Sequence, residues 1–345
     1  MLSNYPPNIS RPLLGMALAG LSILAPIYAS YAAVGSLTNH QGKEVDISHL
    51  DPKVQRIAVK EITAAVRQYH AKSGVVAMVD PMSGEIIAFA ESGKSANSWK
   101  SRVFSPGSTI KPFIAAAAID SGKSSESKRY DCPSSYHIDD ITFTNYKAQK
   151  STMSLTDALA KSVNTCLIKV AQDTGSTVIR NKLEAFGFDM NSWRKNDNLQ
   201  LAKVSLGEDV PATVEDLTKS FAILANKGHV YGKNAEPVIS EKTANSVTRM
   251  LEKSVQTGTG KQAAIPGISV AGKTGTVSEG VNVGEGKHLS LFAGYVPANK
   301  PQYVMLVIIE DGYLSKKGQA LTSGGELAAP VFHNVAIKSL RLAKQ

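Results

Sequence analysis

The chain has 345 residues, 43% of them hydrophobic and 19% charged, which is enough apolar material for a sizeable buried core and excludes a disordered polymer. Its formal net charge is +9, but the basic residues are scattered, with no run longer than Lys128-Arg129 or Lys316-Lys317. No aromatic-rich basic motif accompanies them, so nucleic acid is not expected as a partner.

The 21 residues from Leu13 to Ala33 carry no charge and follow Arg11. Residues 1–34 are therefore expected to be a membrane anchor, whose length suits a span, or a cleaved signal peptide, for which Ser30-Tyr31-Ala32 supplies small residues at a cleavage site. In either case the bulk of the chain is expected outside the cytoplasm, in the cell envelope. Residues 35–72 are polar, with a helical pattern over Val54–Tyr69, and are taken as a linker and first packing helix. The folded domain is expected over 73–345. Val75–Val79, the turn Asp80-Pro81-Met82-Ser83-Gly84 and Glu85–Ala90 predict strand, turn, strand.

From Ser108 to about Ser254 the apolar positions recur at three and four, as in Leu217, Phe221, Leu224 and Ala225, predicting a mainly helical region. Thr213-Val214-Glu215-Asp216 predicts a helix start and Gly228 its stop. Strands return at Ile268–Val277, Leu289–Val296 and Tyr303–Glu310, and a helix from about Glu326 to Leu342 closes the chain. The predicted fold class is α/β (α+β): an antiparallel sheet completed by the two ends of the chain and flanked by helices, with a helical subdomain over about 108–254 inserted. A functional site is expected in the cleft between them.

Three short motifs carry chemistry. Ser108-Thr109-Ile110-Lys111 precedes Pro112 and a strong helix former, so the spacing predicts a helix starting at Ser108, with Lys111 on the same face and within reach of the serine hydroxyl. A neutral lysine there would act as the base that activates the serine; the plain alternative is a capped helix with a surface lysine. Ser162-Val163-Asn164 falls between two helical patterns, where it either caps the second or offers a hydroxyl and an amide to a substrate. Lys273-Thr274-Gly275-Thr276 lies in a strand pattern and, at an edge, would offer a cation, hydroxyls and a close backbone approach to a peptide with a free carboxylate. Gly267 to Thr274 also satisfies the pattern of a phosphate-binding loop, but it is not placed between a strand and a helix, so a nucleotide is not expected. Cys132 and Cys166 have no partners at zinc spacing. No metal or other cofactor is expected, and a single disulfide and two buried thiols remain open.

The three motifs occur in this order, with separations of 54 and 111 residues. Together with Asp157–Thr165, Thr257-Gly258-Thr259-Gly260 and Phe292-Ala293-Gly294-Tyr295-Val296-Pro297, they make the chain from about Gly74 to Leu342 resemble the transpeptidase domain of class B penicillin-binding proteins, in the serine D,D-peptidase and β-lactamase superfamily. The resemblance implies a peptidoglycan D,D-transpeptidase that uses stem peptides ending in D-Ala-D-Ala and is acylated by β-lactams. It implies Ser108 as nucleophile, Lys111 as base, Ser162 as proton carrier and Asn164 on the peptide amide. Lys273, Thr274, Gly275 and Thr276 would take the terminal carboxylate, and the N–H groups of Ser108 and Thr276 would face the oxyanion. Two departures are noted: fewer than about 40 residues stand where the family carries a non-catalytic module, and Cys166 follows the Ser-x-Asn element, where it is expected as a small buried hydrophobe. Partners in cell-wall synthesis are therefore not specified. The rival readings are a D,D-carboxypeptidase, a β-lactamase, against which the lack of a glutamate in Asn196–Gln200 speaks, and a β-lactam or muropeptide sensor.

Overall fold

The computed structural model describes residues 48–94, 98–146, 151–194, 197–231, 236–278, 288–316 and 318–343, with the short strand pair Leu37–Thr38 and Glu44–Val45. The apolar stretch Leu13–Ala33 lies outside the described residues. Among the described residues no helix is long and apolar enough to cross a membrane.

Helix α1 (Pro52–Gln68) starts where Asp51 accepts hydrogen bonds from the N–H groups of Lys53 (2.7 Å) and Val54 (3.2 Å), with Pro52 in the first turn where no N–H is needed. Strands β1 (Ser73–Val79) and β2 (Ile86–Gly93) follow, joined by a turn in which the Asp80 carboxylate accepts from the N–H groups of Met82 and Ser83. Strands β3 (Ala271–Ser278), β4 (His288–Val296) and β5 (Tyr303–Glu310) complete one antiparallel sheet of order β2-β1-β5-β4-β3. The chain's late strand β5 thus inserts beside the early β1, with Val304 opposite Val79, and β3 is left as an edge.

Every residue of β1 is buried, as is nearly all of β5, because helices cover both faces of the sheet. On one face α1 and the closing helix α9 (Ala328–Leu342) pack Val54, Ala58, Ile62 and Phe332 against Val76, Met305 and Val307. Over the sheet also lies α7 (Val214–Ala225), which Thr213 and Asp216 start with a reciprocal capping box and which stops before Gly228, as the sequence predicts. Helix α8 (Glu241–Gln256) packs beside β3.

The inserted region is less helical than its periodicity implies. Besides α2 (Lys111–Asp120), α3 (Leu155–Ala160), α4 (Asn164–Thr174), α5 (Ser176–Ala185) and α6 (Asn198–Leu206), it holds two antiparallel pairs, Arg129–Cys132 with Ser151–Ser154 and Ser135–Ile138 with Ile141–Thr144. At four residues each, these strands are too short for period-two alternation to stand out from their surroundings. Helix α2 is apolar all round, and its residues Lys111 to Ala118 are all buried. Phe113 at its start meets Phe186, Phe188 and Phe221, with ring centroids 4.9–5.2 Å apart. The first motif therefore stands at the start of a helix enclosed on all sides.

Candidate active site

Regular α-helix begins at Lys111 rather than Ser108, because Gly107–Ile110 forms a turn of 3-10 helix ahead of it. The tighter winding, three residues per turn, places residues i and i+3 directly over one another and so stacks Lys111 on Ser108 more closely than an α-turn would. Gly107 has φ +53°, and a Cβ there would lie 2.5 Å from the Val277 side chain, so the turn can press against β3 only with glycine at this position. Ser108 is half-buried at the surface of the cleft, and Lys111 is wholly buried. The segment leading to the motif is pinned to the sheet: Arg102 lies 2.9 Å from the Glu310 carboxylate at the end of β5 and stacks 4.4 Å over the Trp99 ring, while Trp99 donates to Ser73 Oγ at 3.0 Å. Burial pushes the Glu310 carboxyl up, but hydrogen bonds from Ser73, Arg102 and Lys72 outweigh it and hold the group below the usual range.

The second motif occupies the joint between α3 and α4. Ser162 has φ +58°, a left-handed conformation uncommon for a residue with a side chain. It turns both the Ser162 carbonyl and its hydroxyl towards Lys111, whose Nζ donates to Ser162 O (3.0 Å), Ser162 Oγ (3.3 Å) and Asn164 Oδ1 (2.5 Å). Asn164 Nδ2 donates to Thr144 O at 2.8 Å, leaving one amide proton and one oxygen lone pair for a substrate. Asn145 is a residue that sequence reasoning missed: its Oδ1 accepts from Thr165 N and its Nδ2 donates to Pro133 O, fastening the short strand pair to the start of α4. Cys132 and Cys166 are joined in a disulfide, which decides between the two possibilities left open by sequence and corrects the expectation of Cys166 as a plain buried hydrophobe. The bridge closes the same joint two residues beyond Asn164.

The third motif lies on the edge strand β3. Lys273 is fully buried and points at the second motif, donating to Ser162 Oγ at 2.9 Å and to Thr274 O at 2.8 Å. In keeping with the expectation that Gly267–Thr274 is not a phosphate-binding loop, Lys273 and Thr274 lie within a strand, and the lysine points inward. Thr274 Oγ1 shares a 2.6 Å hydrogen bond with Thr259 Oγ1, and Thr276 Oγ1 accepts from Gly324 N at 3.2 Å. A Cβ on Gly275 would stand 3.0 Å from the Thr109 methyl and 3.2 Å from Pro106 O, so glycine sets how near the strand lies to the Ser108 turn.

Burial lowers both lysines. Lys273 is pushed down to about 7 by desolvation. Lys111 is held well below its ordinary value by desolvation and then by the Lys273 charge. Lys273 thereby becomes capable of exchanging a proton near neutral pH, Lys111 gives up its proton more readily than an exposed lysine, and both reach the same serine hydroxyl.

Between the strand and the helical region lies a cavity of 330 Å³ that holds Ser108, Ser162, Asn164, Thr274, Gly275 and Thr276 on one surface. Lys111 and Lys273 sit behind this surface rather than on it. Thr144, Asn145, Tyr146, Lys161, Thr259, Ser323 and Gly325 complete the lining. Of these, only Lys161, within the Asp157–Thr165 block, and Thr259, within the Thr257–Gly260 block, carried a sequence signal. Among the described residues, no carboxylate and no histidine lines this cavity. The one carboxylate in the stretch where a β-lactamase would carry its glutamate, Asp197, instead caps α6 by accepting from Gln200 N.

Residues 74–336 match the penicillin binding protein transpeptidase domain family. A solved transpeptidase domain of the FtsI4 D,D-transpeptidase from Legionella pneumophila is 56% identical, with a TM-score of 0.74 over 86% of this chain and 100% of that one. The probable peptidoglycan D,D-transpeptidase PbpC of Pseudomonas aeruginosa is 28% identical over 85% of this chain and 58% of its own length. The probable peptidoglycan D,D-transpeptidase PenA of Neisseria meningitidis is 25% identical over 87% and 57%, so the chain spans less than two thirds of these curated relatives. With its sheet, its three motifs and their order in place, the chain belongs to the penicillin-binding protein transpeptidase family.

Proposed function

We propose that this chain is a peptidoglycan D,D-transpeptidase of the cell envelope, acting through a Ser108 acyl-enzyme on stem peptides that end in D-Ala-D-Ala and taking β-lactams by the same route. The observation that carries the reading is the convergence of Lys111 and Lys273 on Ser162 Oγ beside Ser108, in a cavity without a carboxylate. Lys111, whose proton is loosened by burial and then by its neighbour's charge, removes the Ser108 proton as Oγ attacks the carbonyl of the penultimate D-Ala. The N–H groups of Ser108 and of Thr276 face the oxyanion that forms. Ser162 relays a proton to the departing amine, with Lys273 restoring it. The stem peptide adds along the free edge of β3, and Thr274 and Thr276 hold its terminal carboxylate with Lys273 behind them.

Transfer to an amine is preferred to the carboxypeptidase and β-lactamase readings because the relatives and the solved domain that the chain resembles are D,D-transpeptidases. Anchoring in the cytoplasmic membrane through residues 1–34 belongs to the same proposal. The test is incubation of the purified chain with a stem-peptide donor and an amine acceptor: a new amide product that disappears in Ser108→Ala supports it, and release of D-Ala with no transfer product contradicts it.

A further inference from the structure

Helix α4 begins within the Ser-x-Asn element, and its start lacks an ordinary cap. The first N–H groups of a helix have no partner inside it, and a serine, threonine or asparagine at the N-cap commonly supplies one. Here the N-cap residue is Val163, whose side chain makes no such bond. The neighbouring hydroxyl, on Ser162, is engaged by Lys111 and Lys273. The chemistry of the site has thus claimed the nearest group that could have closed the helix end.

The cap comes instead from Asn145, twenty residues earlier in the chain. Its Oδ1 accepts from Thr165 N, the second N–H of the helix, at 3.1 Å. Its Nδ2 donates to Pro133 O at 2.9 Å and to Thr165 Oγ1 at 3.2 Å, and Thr165 Oγ1 in turn donates to Pro133 O at 2.8 Å. Asn145 borders the Ser108 cavity, but both protons of its amide are spent on protein groups. The residue before it, Thr144, accepts from Asn164 Nδ2 at 2.8 Å. One dipeptide therefore holds Asn164 twice: through the backbone of the helix that carries it, and through its own side-chain amide.

We propose that Asn145 is a positioning residue for the reaction: as a cap lent to α4 by another segment, it fixes the place from which Asn164 meets an amide of the acyl donor. The inference rests on the reading that β-lactams acylate Ser108 and that Asn164 takes such an amide. A shift of the helix start moves Asn164 relative to Lys111 and to Thr144 alike. A hydrogen bond to a bound amide then loses its alignment, and such bonds weaken steeply as they bend.

The test uses two β-lactams with a common nucleus: benzylpenicillin, whose side chain is joined through an amide, and aminopenicillanic acid, which carries an amine in that place. The rate constant for acylation of the full chain is measured for each. Their ratio reports the amide contact, because a loss of folded protein or of Ser108 reactivity scales both rates alike. In wild type the amide-bearing compound is faster. In Asn145→Ala the ratio falls about tenfold, the worth of one hydrogen bond. Asn145→Gln, which carries the same amide one methylene further out, stands in if alanine does not fold and gives the same fall. Asn145→Asp still offers an acceptor to Thr165 N and keeps the ratio. Asn164→Ala lowers the ratio as well, and adding Asn145→Ala to it lowers it no further. An unchanged ratio in Asn145→Ala, or a further fall in the Asn164→Ala background, overturns the inference and leaves acylation of Ser108 standing. A wild type that does not discriminate between the two compounds overturns the reading of Asn164 and the inference with it, and one acylated by neither overturns the β-lactam reading too.

Discussion

The Lys273 ammonium donates to the Ser162 hydroxyl oxygen across 2.9 Å, and Lys111 approaches the same oxygen from another side at 3.3 Å. Two lysines from different motifs thus meet on one hydroxyl. If Lys111 acts neutral and Lys273 acts charged, acylation needs Lys273 to keep its proton. The rate of acylation by a penicillin then falls on the alkaline side of about 7, where Lys273 deprotonates. In Lys273→Arg the guanidinium stays charged, and the falling limb moves up by about one pH unit or more, whatever the absolute rate. A limb that stays in place assigns it to another group.

Lys273 also costs stability. Its folded pKa, about 7, lies below the unfolded value of about 10.4, so the unfolded chain binds more protons between these two pH values. Stability rises with pH across that window and is lowest below it. Lys273→Met removes this slope and is therefore more stable than wild type at pH 6.5, on the order of 1–3 kcal/mol in urea unfolding, with the difference shrinking towards pH 10. A variant less stable than wild type at both pH values contradicts this.

The left-handed backbone at Ser162 separates geometry from chemistry. Glycine accepts φ +58° without strain and alanine does not, so Ser162→Gly is expected to be more stable than Ser162→Ala by about 1 kcal/mol. Both lose the hydroxyl, and both acylate about 100-fold or more slowly. Equal stability of the two would show that the conformation is not strained.

The Cys132–Cys166 bridge closes a separation of 34 residues across the joint that holds Asn164. Cys132→Ser/Cys166→Ser is expected to lose about 2–4 kcal/mol of stability. A thiol reductant lowers the melting temperature of wild type towards that of the variant and leaves the variant unmoved. Insensitivity of wild type under conditions that reduce the bridge contradicts it.

Much of this site was legible in the sequence because its parts are locally encoded. Pro106-Gly107 before Ser108 and Pro112 after Lys111 mark a helix start; Thr213 and Asp216 mark another; the short apolar runs of β4 and β5, joined by Pro297-Ala298-Asn299-Lys300-Pro301, give the sheet. The third motif was read on an edge strand, and β3 is one. What could not be read depends on contacts between segments distant in sequence. Nothing near Asn145 indicates that it would fasten Thr165, and nothing near Cys132 says that Cys166 is its partner rather than a second buried thiol. The inward turn of Lys273, which makes it a neighbour of Ser162 rather than an open cation, follows from the packing of β3 against the helical region. The 3-10 turn at Ser108 escaped because periodicity cannot separate three from 3.6 residues per turn over four residues.

The central claim is that Ser108 carries the acyl group. The chain is reacted with a penicillin and digested, and the peptide bearing the added mass is sequenced by fragmentation. The modification is expected on Ser108, with none in Ser108→Ala. Modification of Ser162 or of a lysine in wild type, or labelling that persists in Ser108→Ala, would contradict it.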